Sequence, residues 1–257
     1  MRILFIGDIC GKKGVDYLTE KINFLKKKYK SEFVIVNAEN VDNGKGLDYE
    51  NYQNLILSGV NMITMGNHNI YNKNMNNLVD SDNIVRPLNL KQKGLQGSGY
   101  KIIKYKKKKI LIMNALGRVF MNEKENLSCP FKKIENILKI CSKKYDYSFL
   151  DFHAQATSEK IALAHHFDGR IDAIIGTHTH VQTNDDRILP KNTVYISDAG
   201  MTGPYDGVIG TDKDIIINNF LNEKKQKHKL AEGKRQLNGV VVNLGSHKNI
   251  EKINFHE

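Results

Sequence analysis

The sequence predicts an α/β fold of two mixed β-sheets packed face to face and flanked by helices. Three observations predict it. The first 85 residues alternate apolar runs with amphipathic segments in a β-α-β-α-β pattern, which implies parallel strands with helices laid on them. From about Gly97 two apolar runs face each other across a short lysine turn, the mark of an antiparallel pair. The C-terminal third then adds several more short strands, so many strands with helices outside them point to two packed layers.

The elements follow in order. Ile3-Leu4-Phe5-Ile6 is the first strand. Val15, Leu18, Ile22 and Leu25 recur at helical spacing, so Val15 to Tyr29 is an amphipathic helix. A strand over Phe33 to Val36, a Gly/Asn loop, a helix around Asp48 to Leu57 and a strand over Val60 to Met65 complete the parallel unit. Tyr100 to Tyr105 and Lys109 to Ala115 form the antiparallel pair, joined across Lys106-Lys107-Lys108. A helix over Pro130 to Lys143 leads to a strand over Tyr147 to Phe152, and a helix over Ser158 to Phe167 leads to a strand over Ile171 to Ile175. The tail holds strands near Thr193 to Ser197, Asp214 to Phe220, Gly239 to Asn243 and Asn249 to Phe255. No repeat or low-complexity linker interrupts the chain, so residues 1–257 are expected to form a single domain.

Composition narrows the function. At 40% hydrophobic and 26% charged, the chain has the make-up of a soluble globular protein. No apolar stretch approaches the roughly 20 residues that span a bilayer, so no membrane partner is expected. The N-terminus enters a strand without a secretory signal pattern, which leads us to expect a cytoplasmic protein. Cys10, Cys129 and Cys141 are widely spaced with no CxxC, against a disulfide framework and against a thiolate metal site. The formal net charge is +11, yet only six of the 39 basic residues are arginine. Arginine is the better residue for bidentate phosphate and base contacts, so its scarcity weakens a nucleic-acid reading. The runs Lys26 to Lys28, Lys106 to Lys109 and Lys224-Lys225 are those of a solvated surface, and they are compatible with a phosphate-bearing substrate.

Five polar clusters carry the chemistry, each following an apolar run: Asp8, Glu39-Asn40, Asn67-His68, His153 and His178-Thr179-His180. In open α/β sheets ligands gather beyond the carboxyl ends of the strands. Oxygen and imidazole donors collected there are what two hard or borderline divalent cations need. Asp8, in the turn Gly7 to Gly14, is equally readable as a helix N-cap. Glu39 could bridge two cations, and Asn40 could add a neutral oxygen. Asn67 alone could be a turn former, but its neighbour His68 could donate a proton or stabilise developing negative charge. His178 and His180 are two apart, and in extended backbone such residues face one side. His153 gains its weight from company. His165, His166, His228, His247 and His256 fall in a helix or in Lys- or Asn-rich surface segments and are read as structural. Asp198 is a candidate partner for one of the histidines.

With these residues in place, the chain resembles the calcineurin-like metallophosphoesterases and, more closely, the YmdB-like bacterial phosphodiesterases. The shared stretches are Gly7-Asp8-Ile9 with Gly11 and Gly14, Asn37 to Asn40, Gly66-Asn67-His68, Asp151 to Ala154, Ala156 to Lys160, Gly176 to Thr183 and Gly200 to Tyr205. The resemblance implies a metallophosphoesterase-like α/β sandwich. It also implies two divalent or trivalent transition-metal ions, iron or manganese with zinc permitted. Asp8, Asn40 and His180 would hold one ion, Asn67, His153 and His178 the other, and Glu39 would bridge. His68 would be the catalytic imidazole that binds no metal. Two positions depart from the family pattern: Asn69-Ile70-Tyr71 replaces an aromatic-acidic pair, and Gln155 stands where an acidic residue is expected.

The leading expectation is therefore a dinuclear phosphodiesterase acting on small phosphodiesters or cyclic nucleotides, 2′,3′-cyclic ones included. A hydroxide bridging the ions would attack phosphorus with His68 assisting. RNA-derived substrates and a homo-oligomeric state are compatible with it. The alternatives are a phosphomonoesterase or protein phosphatase on the same scaffold, or a basic RNA-binding or regulatory protein with structural metals.

Overall fold

The computed structural model describes residues 1–70, 78, 80–91, 96–121, 126–222 and 226–257. Tyr71, the side chains of Asn69 and Ile70, and the Lys224-Lys225 run lie outside the described residues. The first sheet runs in the order β2 (Asp8–Ile9), β12 (Met201–Pro204), β13 (Arg235–Asn243), β1 (Arg2–Ile6), β3 (Phe33–Asn37), β4 (Met62–Thr64) and β5 (Ile84–Val85), with β14 (Asn249–His256) also paired to β13. Strands β1, β3, β4 and β5 are parallel, whereas β13 is antiparallel to β1 and to β14. The second sheet runs in the order β10 (Arg187–Ile188), β11 (Val194–Ile196), β9 (Ala173–Thr177), β8 (Tyr147–His153), β7 (Lys108–Leu116) and β6 (Tyr100–Tyr105). Its outer pairs, β10 with β11 and β6 with β7, are antiparallel, and the rest are parallel. Both sheets are mixed, as the sequence predicts.

Alternation along the strands sends one set of side chains between the sheets and the other toward the helices. Ile3, Phe5 and Ile35 of the first sheet meet Ile112, Phe149 and Ile175 of the second, with the Phe5 and Phe149 ring centroids 5.3 Å apart. Leu4, Ile6 and Val34 pack outward on Leu18 and Ile22 of α1 (Gly11–Lys28). Leu111 and Leu150 pack on Ile134 of α3 (Pro130–Ile140) and Leu163 of α4 (Thr157–His166). Helix α1 starts earlier than its apolar repeat predicts. Its first turn lies against β12, and a Cβ on Gly14 would overlap the Thr202 carbonyl. Helix α2 (Tyr49–Ser58) is capped by the Asp48 carboxylate, which accepts the Asn51 N–H at 2.9 Å, and ends at Gly59 with φ 106°.

Two sequence expectations are corrected. The strand expected over Asp214 to Phe220 is helix α5 (Lys213–Asn222). The run Ile215-Ile216-Ile217 favours a strand by β-branching, but the Asp212 carboxylate accepts the N–H groups of Asp214 at 3.0 Å and Ile215 at 3.2 Å and starts a helix instead. The Gly/Pro stretch after Gly200, which its composition marks as a loop, contributes β12, which pairs with β2 and β13. No helix among the described residues is long and apolar enough to cross a membrane.

Candidate metal centre

The parallel strands β1, β3, β4, β8 and β9 all end on one edge of the molecule, and the five polar clusters meet there. Asp8 is fully buried in the short strand β2. It is not the N-cap of α1: that place is taken by Cys10, and the Asp8 Oδ2 accepts the His178 backbone N–H at 2.8 Å. Its Oδ1 is buried without a hydrogen-bond partner. Burial pushes the Asp8 carboxyl well up, against the pull of the His153 imidazole. Glu39 and Asn40, just past β3, are also buried. Burial opposes ionisation of Glu39, but contacts with His153 and His68 outweigh it and hold this carboxyl below the usual range. Gly66 leaves the space that Glu39 fills, since a Cβ there would overlap the Glu39 carboxylate and the His153 Nε2.

Around His153 the donors crowd. Its Nε2 lies 3.0 Å from Glu39 Oε1, 3.1 Å from Asn67 Oδ1 and 3.0 Å from His178 Nδ1. One ring nitrogen carries a single proton or a single lone pair and cannot satisfy three partners. Donor atoms that converge on a common point form the geometry of a cation site. Glu39, His153 and His178 each present a ligand atom within 4.8 Å of the others. Together with the orphaned Asp8 oxygen, this donor set fits divalent cations held by N and O ligands.

The two histidines after β9 reach the site by a route the sequence did not predict. They are not in extended backbone: His178 has φ 104° and His180 φ 65°. The chain turns sharply through left-handed conformations, which cost non-glycine residues about 1–3 kcal/mol each and need support from their surroundings. His178 Nδ1 faces His153, and His180 Nε2 lies 3.8 Å from Asp8 Oδ2 and 3.1 Å from Asn40 Nδ2. His180 Nδ1 donates to the Ile209 carbonyl at 2.9 Å, which leaves its Nε2 lone pair toward the site. Burial lowers the pKa of both, that of His178 to about 3, so both imidazoles are neutral, the form that binds metals.

His68 stands apart from the crowd on a single 3₁₀ turn, Asn67–Ile70. Its side chain is 31% exposed. Its N–H donates to Glu39 Oε2 at 2.9 Å, and its Nδ1 lies 2.6 Å from Asn40 Oδ1. Gln155 is exposed.

Five supporting residues, Asn37, Thr64, Asp151, Lys160 and Thr177, are not among the candidates the sequence offers. Asp151 is fully buried and accepts from Thr177 Oγ1 at 2.6 Å, Thr64 Oγ1 at 2.5 Å and Asn37 Nδ2 at 2.9 Å. Because the Thr177 hydroxyl donates to Asp151, it accepts from His153 Nδ1, 2.9 Å away. This directional chain fixes the His153 tautomer and leaves its Nε2 free as a ligand. Thr177→Val is expected to weaken metal affinity about 10–100-fold, measured by competition with a chelating dye. Asp198 supports the histidines through the backbone and not through a ring nitrogen, contrary to expectation. It accepts the Thr179 N–H at 3.0 Å, between the two histidines, and pairs with the buried Lys160 ammonium at 2.8 Å. The sequence signals were an aspartate inside the apolar run Phe149 to Phe152 and a lysine in line with Leu163 and Ala164 on the inner face of a helix.

A profile of the YmdB-like protein family matches residues 4–255. The chain belongs to this family. It is 46% identical over 245 residues to the 2′,3′-cyclic-nucleotide 2′-phosphodiesterase of Bacillus subtilis strain 168, covering 95% of this chain and 91% of that protein. Among solved structures, a novel phosphatase from Mycoplasma pneumoniae superposes with a TM-score of 0.93 at 36% identity, covering 100% of this chain and 94% of that one. A hypothetical protein from Thermus thermophilus gives the same score and identity over 100% of both chains. The metallophosphoesterase-like sandwich expected from the sequence is the fold observed.

Proposed function

We propose that this chain hydrolyses phosphodiesters, cyclic nucleotides with a 2′,3′-cyclic phosphate among them, at a dinuclear metal centre. The observation that carries this reading is the convergence of Glu39, Asn67 and His178 on His153 Nε2, next to a buried carboxylate oxygen of Asp8 that has no partner. That the chain is a phosphoesterase agrees with its family and its 46% identical relative.

Asp8, Asn40 and His180 are the residues we assign to one cation and Asn67, His153 and His178 to the other, with Glu39 between them. Iron or manganese suits this N/O set, as does zinc. Bound there, two cations supply Lewis acidity to the phosphoryl oxygens and lower the pKa of water.

The protein's own contribution lies with His68. The two ends of an amide are told apart by the hydrogen bonds they make. The structure places Asn40 Oδ1 against His68 Nδ1; were Asn40 to offer that oxygen to a cation instead, the amide would flip and its NH₂ would face His68 Nδ1. His68 would then carry its proton on Nε2, on the part-exposed side, where that N–H can donate a hydrogen bond to the charge developing on the leaving oxygen. His68→Ala is expected to lower turnover of a bis-aryl phosphate with added Mn²⁺ on the order of 10²–10³-fold, with both metals still bound. Near-normal turnover would remove His68 from catalysis. The same assay with a mono-aryl phosphate separates the diesterase reading from the monoesterase one.

We take residues 1–257 to work as a single domain, because one apolar layer joins strands of both sheets. Three unpaired cysteines, two of them buried, accord with a reducing cytoplasmic compartment.

A further inference from the structure

A cavity that the reaction chemistry does not use opens between the end of β7 and the starts of α3 and α4. It is an open depression of about 340 Å³ lined by Arg118, Val119, Cys129, Pro130, Phe131 and Glu159. That volume lies in the range of small-molecule sites. Its walls come from the carboxyl end of β7 and the first turns of α3 and α4, so it opens on the same edge of the second sheet as the candidate metal ligands. Strands β7 and β8 stay paired to their last residues, Leu116 with His153, and the Gly117 N–H donates to the His153 carbonyl at 2.9 Å. Neighbouring strands are about 4.8 Å apart and rise about 3.3 Å per residue. Arg118 therefore begins within a few residue-lengths of His153, inside the reach of one nucleotide.

The lining is built for a flat, polar-edged ligand. Glu159 shares the cavity wall with Arg118, but both of its oxygens are engaged by backbone. Oε1 and Oε2 accept the Arg118 N–H at 3.0 and 2.9 Å, and Oε2 also accepts the Val119 N–H at 3.0 Å. Gly117 makes that embrace possible, since a Cβ there would press on Glu159 and Ala154. The carboxylate thus shapes the loop, and the guanidinium stays exposed with no acidic partner among the described residues. Apolar groups flank it. Val119 is 40% exposed, and the Phe131 ring stacks on Phe167 at 6.4 Å, which anchors this wall. Phe120, held at φ 60°, is 83% exposed. A solvent-facing aromatic in a left-handed conformation is strained, and such strain concentrates at ligand-binding loops.

We propose that this cavity receives the nucleoside part of the substrate, its base against the Val119, Pro130 and Phe131 wall, with the Arg118 fork on the base edge. Guanidinium planes and apolar faces are how unpaired bases are held elsewhere. The inference rests on the phosphodiesterase reading and narrows its substrate to those carrying a nucleobase.

The test compares Arg118→Ala and Arg118→Lys with wild type, on a nucleoside 2′,3′-cyclic phosphate and on a bis-aryl phosphate. The ratio of kcat/KM, cyclic nucleotide over aryl, is expected to fall about tenfold in R118A. R118K should recover only part, because a single ammonium lacks the planar fork. A second arm measures inhibition of aryl hydrolysis by a nucleoside monophosphate and by inorganic phosphate. In R118A the nucleotide should lose its advantage over phosphate. Unchanged ratios in both arms, or equal losses on both substrates, overturn the proposal. Wild type that turns over aryl esters but no cyclic nucleotide defeats the proposed function instead, and the inhibition arm then still decides the fate of the pocket.

Discussion

Glu39→Gln is expected to reduce bound transition metal from two ions per chain to one or none and to lower phosphodiester turnover on the order of 10³-fold. Glu39 is the residue that touches both halves of the centre. Its Oε1 lies 3.0 Å from His153 Nε2 and 3.3 Å from Asn40 Nδ2, while its Oε2 accepts the His68 N–H. Glutamine keeps the volume, so the space opened by Gly66 stays filled and the core is undisturbed. It removes the charge and replaces one oxygen by a donor, so it can no longer offer an oxygen to each of two cations. Elemental analysis of the purified variant, with a thermal melt to verify folding, checks the outcome. Two ions per chain with near-normal turnover would remove Glu39 from the bridging position.

Much of this centre was legible in the sequence because strand-end position and side-chain type are both local properties. Asp8, Glu39, Asn40, Asn67, His68, His153, His178 and His180 stood out one cluster at a time, and the structure brings all eight to one edge. What failed was backbone detail. The spacing of His178 and His180 implied extended chain, whereas the observed turn places them by positive φ. Such a turn is stabilised by a contact with Asp198, distant in sequence, and sequence spacing carries no trace of it. The helix at Lys213–Asn222 is masked for a related reason: its β-branched run favours a strand, and the capping Asp212 that decides for a helix acts through side-chain contacts. Arg118 carries no sequence signal, because an exposed arginine in a loop has no periodicity to mark it. Only the cavity around it and the lack of an acidic partner among the described residues give it meaning.

The second large effect is expected at Lys160, where stability and metal binding can be pulled apart. The Lys160 side chain is 2% exposed and its partner Asp198 1%. The ammonium donates at 2.8 Å both to Asp198 Oδ2 and to the Thr177 carbonyl, its methylene chain crossing Gly176, where a Cβ would meet it. Asp198 in turn accepts the N–H groups of Thr179 at 3.0 Å and Gly200 at 2.9 Å. Lys160→Met leaves a buried carboxylate without its counter-charge, which costs about 3–5 kcal/mol. In a chain of this size that is a fall in Tm of roughly 10 °C. Replacing both partners, Lys160→Met with Asp198→Leu, removes the orphaned charge, and such a swap is often neutral or stabilising, so the Tm should return to near wild type. The Thr179 N–H, however, has then lost its acceptor, and the turn between His178 and His180 loses its central backbone hydrogen bond against two unfavourable φ values. Metal affinity measured by dye competition should therefore stay about 10–100-fold weak in the double variant. Recovery of both together would reduce the pair to a core contact. Recovery of stability alone would make it the clamp that aims two histidines at the metal centre.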